Sequence, residues 1–264
     1  NVAIGRDALV ANTTADYNTA VGRQALYTNT TGASNVAIGP NALVSNTTAD
    51  DNVAMGRNAL TANTTGASNT AVGRSALAAN TTAAGNVAVG YNALTANTTG
   101  ADNTAVGDEA LETITTSGEC TAVGNRALHV NTATQNTAVG SRAGEAITTG
   151  EQNSVLGQRA AYQVTTGARN TCIGWNAGGS ITTQSYCTAV GNRALDASNN
   201  PDCTAVGYEA LSSNCGEDNT AVGYQAGLNV TGAYNTIMGH SALSAGTHSG
   251  NYSSAFGFQA MKAN

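Results

Sequence analysis

The sequence predicts an all-β fold, a parallel β-solenoid of about sixteen coils of 16–18 residues each. Three observations carry that expectation: a narrow alphabet, an unbroken repeat, and a repeat unit too short for the common helical and propeller repeats. Ala, Thr, Asn and Gly supply 149 of the 264 residues, about 56%, and such bias points to internal repetition before anything else. Charged residues are only 10%, against roughly 25% in an ordinary globular domain. That argues against a typical α/β enzyme, and also against a tail kept disordered by high net charge. Gly is too rare and Pro too nearly absent for collagen. No run of 18 apolar residues occurs, so no membrane span is expected.

The repeat can be laid out residue by residue. Segments begin at residues 1, 18, 35, 52, 69, 86, 103, 120, 136, 153, 170, 187, 203, 219, 235 and 253. Counting positions within each segment, position 5 is Gly in every one, from Gly5 to Gly257, and position 8 is Ala, from Ala8 to Ala260. Position 4 is always apolar, as in Ile4, Val21, Ile38, Met55 and Phe256. Position 1 is Asn twelve times, Cys three times and Ser once. The array is thus expected to form one domain over residues 1–264, with no linker.

Each stretch of the unit has its own justification. Two-helix repeats need about 33 residues and propeller blades about 40, so a 17-residue unit fits one small β-coil. Position 2 is Val, Thr or Ser throughout, and with position 4 it predicts a short strand whose flanking residues face inward. Gly at position 5 predicts a turn that a side chain would penalise. Ala and Leu at positions 8 and 9 predict a second short strand or a corner. The segment Asn-Thr-Thr-Gly, as at Asn63 to Gly66, returns the chain to the next coil. Helix is disfavoured, because every unit carries Gly and the first six carry Asn-Thr-Thr, all poor helix formers.

Substitutions within the repeat predict which positions meet. Leu at position 9 usually comes with Asn at position 12, as in Leu9 with Asn12, Leu60 with Asn63 and Leu94 with Asn97. Where position 9 shrinks, position 12 becomes apolar: Gly144 with Ile147, Ala161 with Val164, Gly178 with Ile181, Gly227 with Val230. Leu111 with Ile114 is the exception. Volume lost at one position returns at the other, as close packing requires. Cys120, Cys187 and Cys203 replace Asn at position 1, which predicts a partly buried position and an Asn ladder along the stack. Cys172 falls at position 3 and Cys215 at position 13. Cys187 and Cys203 sit on adjacent coils, about 5 Å apart at Cα and inside disulfide range. In-register side chains point in parallel, however, which favours free buried thiols over that bond.

A coil this thin encloses little core, so it is expected to gain stability by packing against copies of itself. The simplest arrangement is a parallel bundle, in which sixteen coils at about 4.8 Å each would make a rod of about 75 Å. The pentapeptides Asn1 to Gly5 and Asn35 to Gly39, and Asn-Thr-Ala-Val-Gly at Asn18 to Gly22 and Asn219 to Gly223, resemble the Asn-Ser-Val-Ala-Ile-Gly repeats of YadA-like heads in trimeric autotransporter adhesins. They are similar also to repeats in phage tail-fibre shafts. The resemblance implies a left-handed parallel β-roll, three chains intertwined or side by side around one axis. It also implies a core formed by Val2, Ile4 and their equivalents. The family unit is commonly about 14 residues, whereas this one is mostly 17. The autotransporter membrane anchor and the tail-fibre chaperone domain are not found in this sequence.

Neither catalysis nor a cofactor is expected. His129, His240 and His248 have no triad-like partner in the repeat, no converging set of metal ligands is evident, and Asp108 and Glu109 fall in a variable turn. The Gly-Gly-x-Gly-x-Asp motif of calcium-binding β-rolls is missing. A net charge of −6 disfavours nucleic acid. Three surface columns remain. Thr at positions 13 and 14 forms an array of the kind that binds ice, although it lapses at coil 8 and decays after coil 11. Arg6, Arg23, Arg57 and Arg74 share position 6, with Asp16, Asp50 and Asp51 available to offset them. Position 6 turns aromatic later, giving Trp175, Tyr208, Tyr224, His240 and Phe258 as candidate surface-binding residues, either for sugar rings or for interchain packing. Eight Asn-x-Ser/Thr sequons occur, at Asn12, Asn29, Asn46, Asn63, Asn80, Asn97, Asn229 and Asn251. The expectation is a non-enzymatic homotrimeric fibre, shaft or head of an extracellular appendage on a cell or virion. It would position, or contribute to, binding of a host-surface glycan or protein receptor. An adhesin head with its own glycan site is the first alternative, and an ice-binding solenoid the second.

Overall fold

The computed structural model describes residues 1–197 and 200–261. Among these residues there is one three-residue strand per repeat and no helix. The chain divides into two compact units, Asn1–Thr134 and Gln135–Asn264. The first holds β1 (Val2–Ile4) to β8 (Thr121–Val123), and the second β9 (Thr137–Val139) to β16 (Ser254–Phe256). Within each unit every strand runs parallel to the next and pairs position for position: Val2 with Thr19, Ala3 with Ala20, Ile4 with Val21. In the second unit Thr188 pairs with Thr204 and Val190 with Val206 in the same way. Both units are β-solenoids built of the same coil, as the repeat predicts.

The strand faces the opposite way from the expectation. Position 3 points inward, and positions 2 and 4 point out. Ala20, Ala37, Ala54 and Cys172 are fully buried, whereas Val2, Ile4, Ile38 and Met55 are exposed. Alternation along a strand buries either the flanking pair or the middle residue, and size decides between them here. The interior already holds the Ala of position 8 and the Leu of position 9, both buried from Ala25 and Leu26 to Ala242 and Leu243. Only a small side chain fits opposite them, and position 3 is Ala in most coils.

Positions 9 and 12 do meet inside the coil. A Cβ on Gly178 would lie 3.0 Å from Ile181 Cδ1, and one on Gly227 would lie 3.5 Å from Val230 Cγ2. Position 3 joins the same compensation: the Gly178 Cβ would also lie 2.6 Å from Cys172 Sγ, and the Gly227 Cβ 2.8 Å from Ile237 Cδ1. Volume is therefore traded among three positions, and across neighbouring coils.

Positions 8 and 9 form a corner, not a second strand. Position 9 is left-handed in each of coils 1–15, from φ 46° at Leu211 to 64° at Gly227. A Leu held there costs about 1–2 kcal/mol, and the neighbouring coil holds it through the Leu26 amide, which donates to Ala42 O at 3.1 Å. Gly144, Gly178 and Gly227 relieve that strain, so these coils can give up the Leu. Position 5 leaves less freedom. Gly39 sits at φ 132°, where a Cβ would lie 2.7 Å from the carbonyl of Gly56 in the next coil.

Two Asn ladders run through the interior. At position 1, the Asn35 amide donates to Asn18 Oδ1 at 2.9 Å, and Asn35 Nδ2 donates to Ala49 O at 2.8 Å. At position 12, Asn46 Nδ2 donates to Asn29 Oδ1, Asn63 to Asn46, and Asn80 to Asn63, at 2.7–3.0 Å. The second ladder ends where Ile114 replaces Asn, leaving the buried Asn97 Oδ1 without a partner. Burial of Asn29, Asn46, Asn63, Asn80 and Asn97 makes folding and glycosylation mutually exclusive at those five sequons, while Asn251 is exposed.

Replacing Gly39 with Ala is expected to cost more than about 2 kcal/mol, combining φ strain with a backbone clash. Urea unfolding followed by circular dichroism measures it, and an unchanged midpoint would contradict this account of the turn.

Candidate functional site

Parallel stacking turns each outward position into a column with about 4.8 Å between like side chains. Position 6 at the end of the chain is the most distinctive. Tyr208 stacks on Tyr224 with ring centroids 5.2 Å apart, Tyr224 on His240 at 4.8 Å, and His240 meets a tilted Phe258 at 5.4 Å. The four rings remain exposed, 42% at Tyr208 and 71% at Phe258, with His240 likewise exposed. Trp175, at 45% exposure, stands apart, because coil 12 places Asn192 between it and Tyr208. The structure therefore brings four of the five sequence-predicted residues together.

Their chemistry follows from the stacking. Tyr224 and His240 have both faces covered by neighbouring rings, so the inner part of the ladder offers ring edges and a tyrosine hydroxyl. Stacking a sugar on a ring face requires an uncovered face, which only the ends of the ladder can supply. Glu209 lies beside the ladder, accepting from Arg193 Nη1 at 3.0 Å and Gln225 Nε2 at 2.9 Å. A hydrogen bond to that carboxylate holds the Tyr208 phenol above its ordinary pKa. A second stack, Tyr234 on Tyr252 at 5.1 Å, occupies the last position of its coils, and the Tyr234 hydroxyl donates to Glu217 at 2.8 Å.

In each unit the strand face carries an apolar column. Ile4, Ile38 and Met55 in the first unit, and Leu156, Ile173, Met238 and Phe256 in the second, stand 38–61% exposed. No charged residue occupies position 2 or 4 in any coil. The other columns are more fully used. Thr hydroxyls at position 13 donate to the carbonyl one coil on, Thr30 to Thr47 O at 3.0 Å and Thr64 to Thr81 O at 3.0 Å, whereas Thr31, Thr48, Thr65 and Thr82 at position 14 are exposed. In the Arg column, Arg6 lies 3.4 Å from Asp7 and Arg74 stands 5.6 Å over the Tyr91 ring. Asp50, expected to offset that column, instead accepts from the Ala33 amide at 2.6 Å.

One cluster escapes the sequence reading. Glu109, Glu112 and His129 place three ligand-type atoms within 4.8 Å of one another. The signal was there as a spacing of 3 and then 17 residues, one turn corner and one repeat. These groups already have partners. His129 Nδ1 lies 3.3 Å from both Glu112 Oε2 and Glu109 O, Asn92 Nδ2 donates to Glu112 Oε1 at 3.3 Å, and Arg126 lies 3.6 Å from Glu109. Related pairs recur between positions 7 and 10, Arg142 with Glu145 and Arg193 with Asp196, so the cluster is one instance of an ion-pair column. His248, the third histidine, lies 3.1 Å from Ser253 Oγ.

All five cysteines are buried, and none is joined in a disulfide. Burial pushes the Cys172 thiol up from 9.0 to about 12, and Cys187 to about 11. The Cys187 sulfur faces the carbonyls of Ser185 and Asn200 at 3.7 Å, and no disulfide joins it to Cys203.

Among the described residues no helix is long and apolar enough to cross a membrane. No protein-family model and no curated protein matches the chain.

The buried thiols set an alkaline limit. Unfolded, Cys172 ionises near 9.0, whereas folded it does so only near 12. Between those values the native chain keeps a proton that the unfolded chain has lost, so stability falls as pH rises. Cys172→Ala, which restores the usual residue of position 3, is expected to flatten that fall in urea titrations repeated across the alkaline range. An unchanged slope would contradict the assignment.

Proposed function

We propose that the chain is a non-enzymatic fibre segment that packs against copies of itself as a homotrimer. It would form the shaft or head of an extracellular appendage such as a phage tail fibre or bacterial adhesin. The supporting observation is the outward strand face, apolar at position 4 and uncharged at position 2 in every coil. Soluble monomers rarely leave a long apolar strip in water. A second copy is the natural cover, because it carries the same 4.8 Å period and can interlock without drifting out of register. Closing three such faces around one axis leaves no strip exposed. The resemblance to trimeric fibre repeats points the same way.

Receptor contact falls to the exposed ring edges and hydroxyls of Tyr208, Tyr224, His240 and Phe258, with Trp175 as an isolated contact. A host-surface glycan or a protein loop suits this mixture of apolar edge and hydroxyl. Ice binding is the weaker reading, because the position 13 hydroxyls are engaged with backbone carbonyls, leaving single rather than paired Thr columns.

Multi-angle light scattering should give three times the chain mass. Ile38→Asp with Met55→Asp should shift it toward the monomer while the β-sheet circular dichroism signal survives; a monomeric parent protein would refute the proposal. Tyr208→Ala with Tyr224→Ala should reduce adhesion to the target surface by at least several-fold with the trimer intact, and unchanged adhesion would remove the ladder from the binding role.

A further inference from the structure

The interior slots at positions 1 and 12 are spatial neighbours in this coil. Where Cys120 takes the first slot, Asn131 in the second places its Nδ2 3.5 Å from the sulfur. The coil beginning at Cys203 changes both slots. It is a 16-residue coil, and its shortened return turns Asn214 outward and Cys215 inward. Cys215 is fully buried, as is Cys203, and the two sulfurs lie 3.7 Å apart. Cys187, one coil earlier, has its sulfur against Ser185 O and Asn200 O instead.

We propose that Cys203 and Cys215 form a redox-closable pair, which a low-molecular-weight disulfide such as oxidised glutathione converts to an intracoil disulfide. The sulfurs need only close from 3.7 Å to about 2.05 Å, a movement that side-chain rotation can supply. The pair also differs electronically from the other thiols. A hydrogen bond from Cys215 holds the Cys203 thiol below its ordinary pKa, whereas burial raises Cys172 and Cys187. Cys203 is therefore the attacking sulfur.

In the first step the Cys203 thiolate attacks one sulfur of the glutathione disulfide. A mixed disulfide forms, the glutathione S–S bond breaks, and one glutathione thiolate leaves. In the second step deprotonated Cys215 attacks Cys203 Sγ and expels the other glutathione as thiolate. The two protons lost by the protein thiols pass through solvent to the two released thiolates. Two electrons move from the cysteine pair to the glutathione disulfide, so the exchange balances. Because both sulfurs are buried, it proceeds through transient opening of the 212–218 return. Closure would staple position 1 to the return segment in a coil that lacks the buried position 12 Asn, and it would leave the exposed Tyr208 edge unchanged.

The test oxidises the reduced, folded chain with oxidised glutathione and maps disulfides under non-reducing conditions after cleavage at Glu209, which lies between the two cysteines. The expected product joins the Cys203 and Cys215 peptides with the loss of two hydrogens. Three thiols then remain titratable in denaturant, and the thermal midpoint rises by several degrees. Cys187→Ser should leave the product unchanged, while Cys215→Ser should stop at the Cys203–glutathione adduct. A Cys187–Cys203 link, a persistent glutathione adduct in the parent chain, or five titratable thiols would each overturn the proposal. The parent chain's peptide map decides even if a variant fails to fold.

Discussion

In-register stacking of one coil on the next is the constraint on which the other features depend. Turn amides bond in both directions, Leu26 N to Ala42 O one coil ahead and Gly22 N to Ile4 O one coil behind. The Asn ladders repeat this through side chains, as when Asn35 accepts from the Asn52 amide at 3.0 Å and donates to Ala49 O. These bonds hold residues that isolated turns would reject, a Leu near φ 50° and a Gly near φ 130°. Strain at one corner is thus held by its neighbours, which is how a left-handed Leu recurs through most of the array.

The same stacking fixes how the apolar residues are divided. A 17-residue coil has a narrow interior, which Ala, one Leu and the aligned Asn side chains already fill. Larger strand residues such as Ile38, Met55 and Phe256 are left outside. In most globular folds the large apolar residues define the core and the small ones fill gaps. Here the order is inverted, so the apolar surface left outside grows with every coil, because a thin coil has little interior to hold it.

Columns also turn one residue choice into a surface. A single Tyr on a turn is an ordinary exposed side chain, whereas Tyr208, Tyr224, His240 and Phe258 at one position make a continuous stack. Departures are as informative as repetition. Ile114 ends one Asn ladder and leaves the Asn97 carbonyl oxygen unsatisfied, while a shortened return brings Cys215 into the place of an Asn.

The sequence by itself determined the coil count, the coil boundaries, the Gly turn, the Asn ladder of position 1 and the meeting of positions 9 and 12. Each of these is a periodicity or a correlated substitution, and a repeat copies such constraints sixteen times into view. The four-ring column was legible for the same reason, since a shared position in a stacked repeat means a shared line on the surface. Only the tertiary structure decided which strand face is buried, because alternation gives two faces and the width of the interior chooses between them. It also decided that Cys203 faces Cys215 rather than Cys187, and that Glu109, Glu112 and His129 converge. Those outcomes depend on side-chain direction and on how a 16-residue coil takes up its missing residue, which spacing along the chain does not encode.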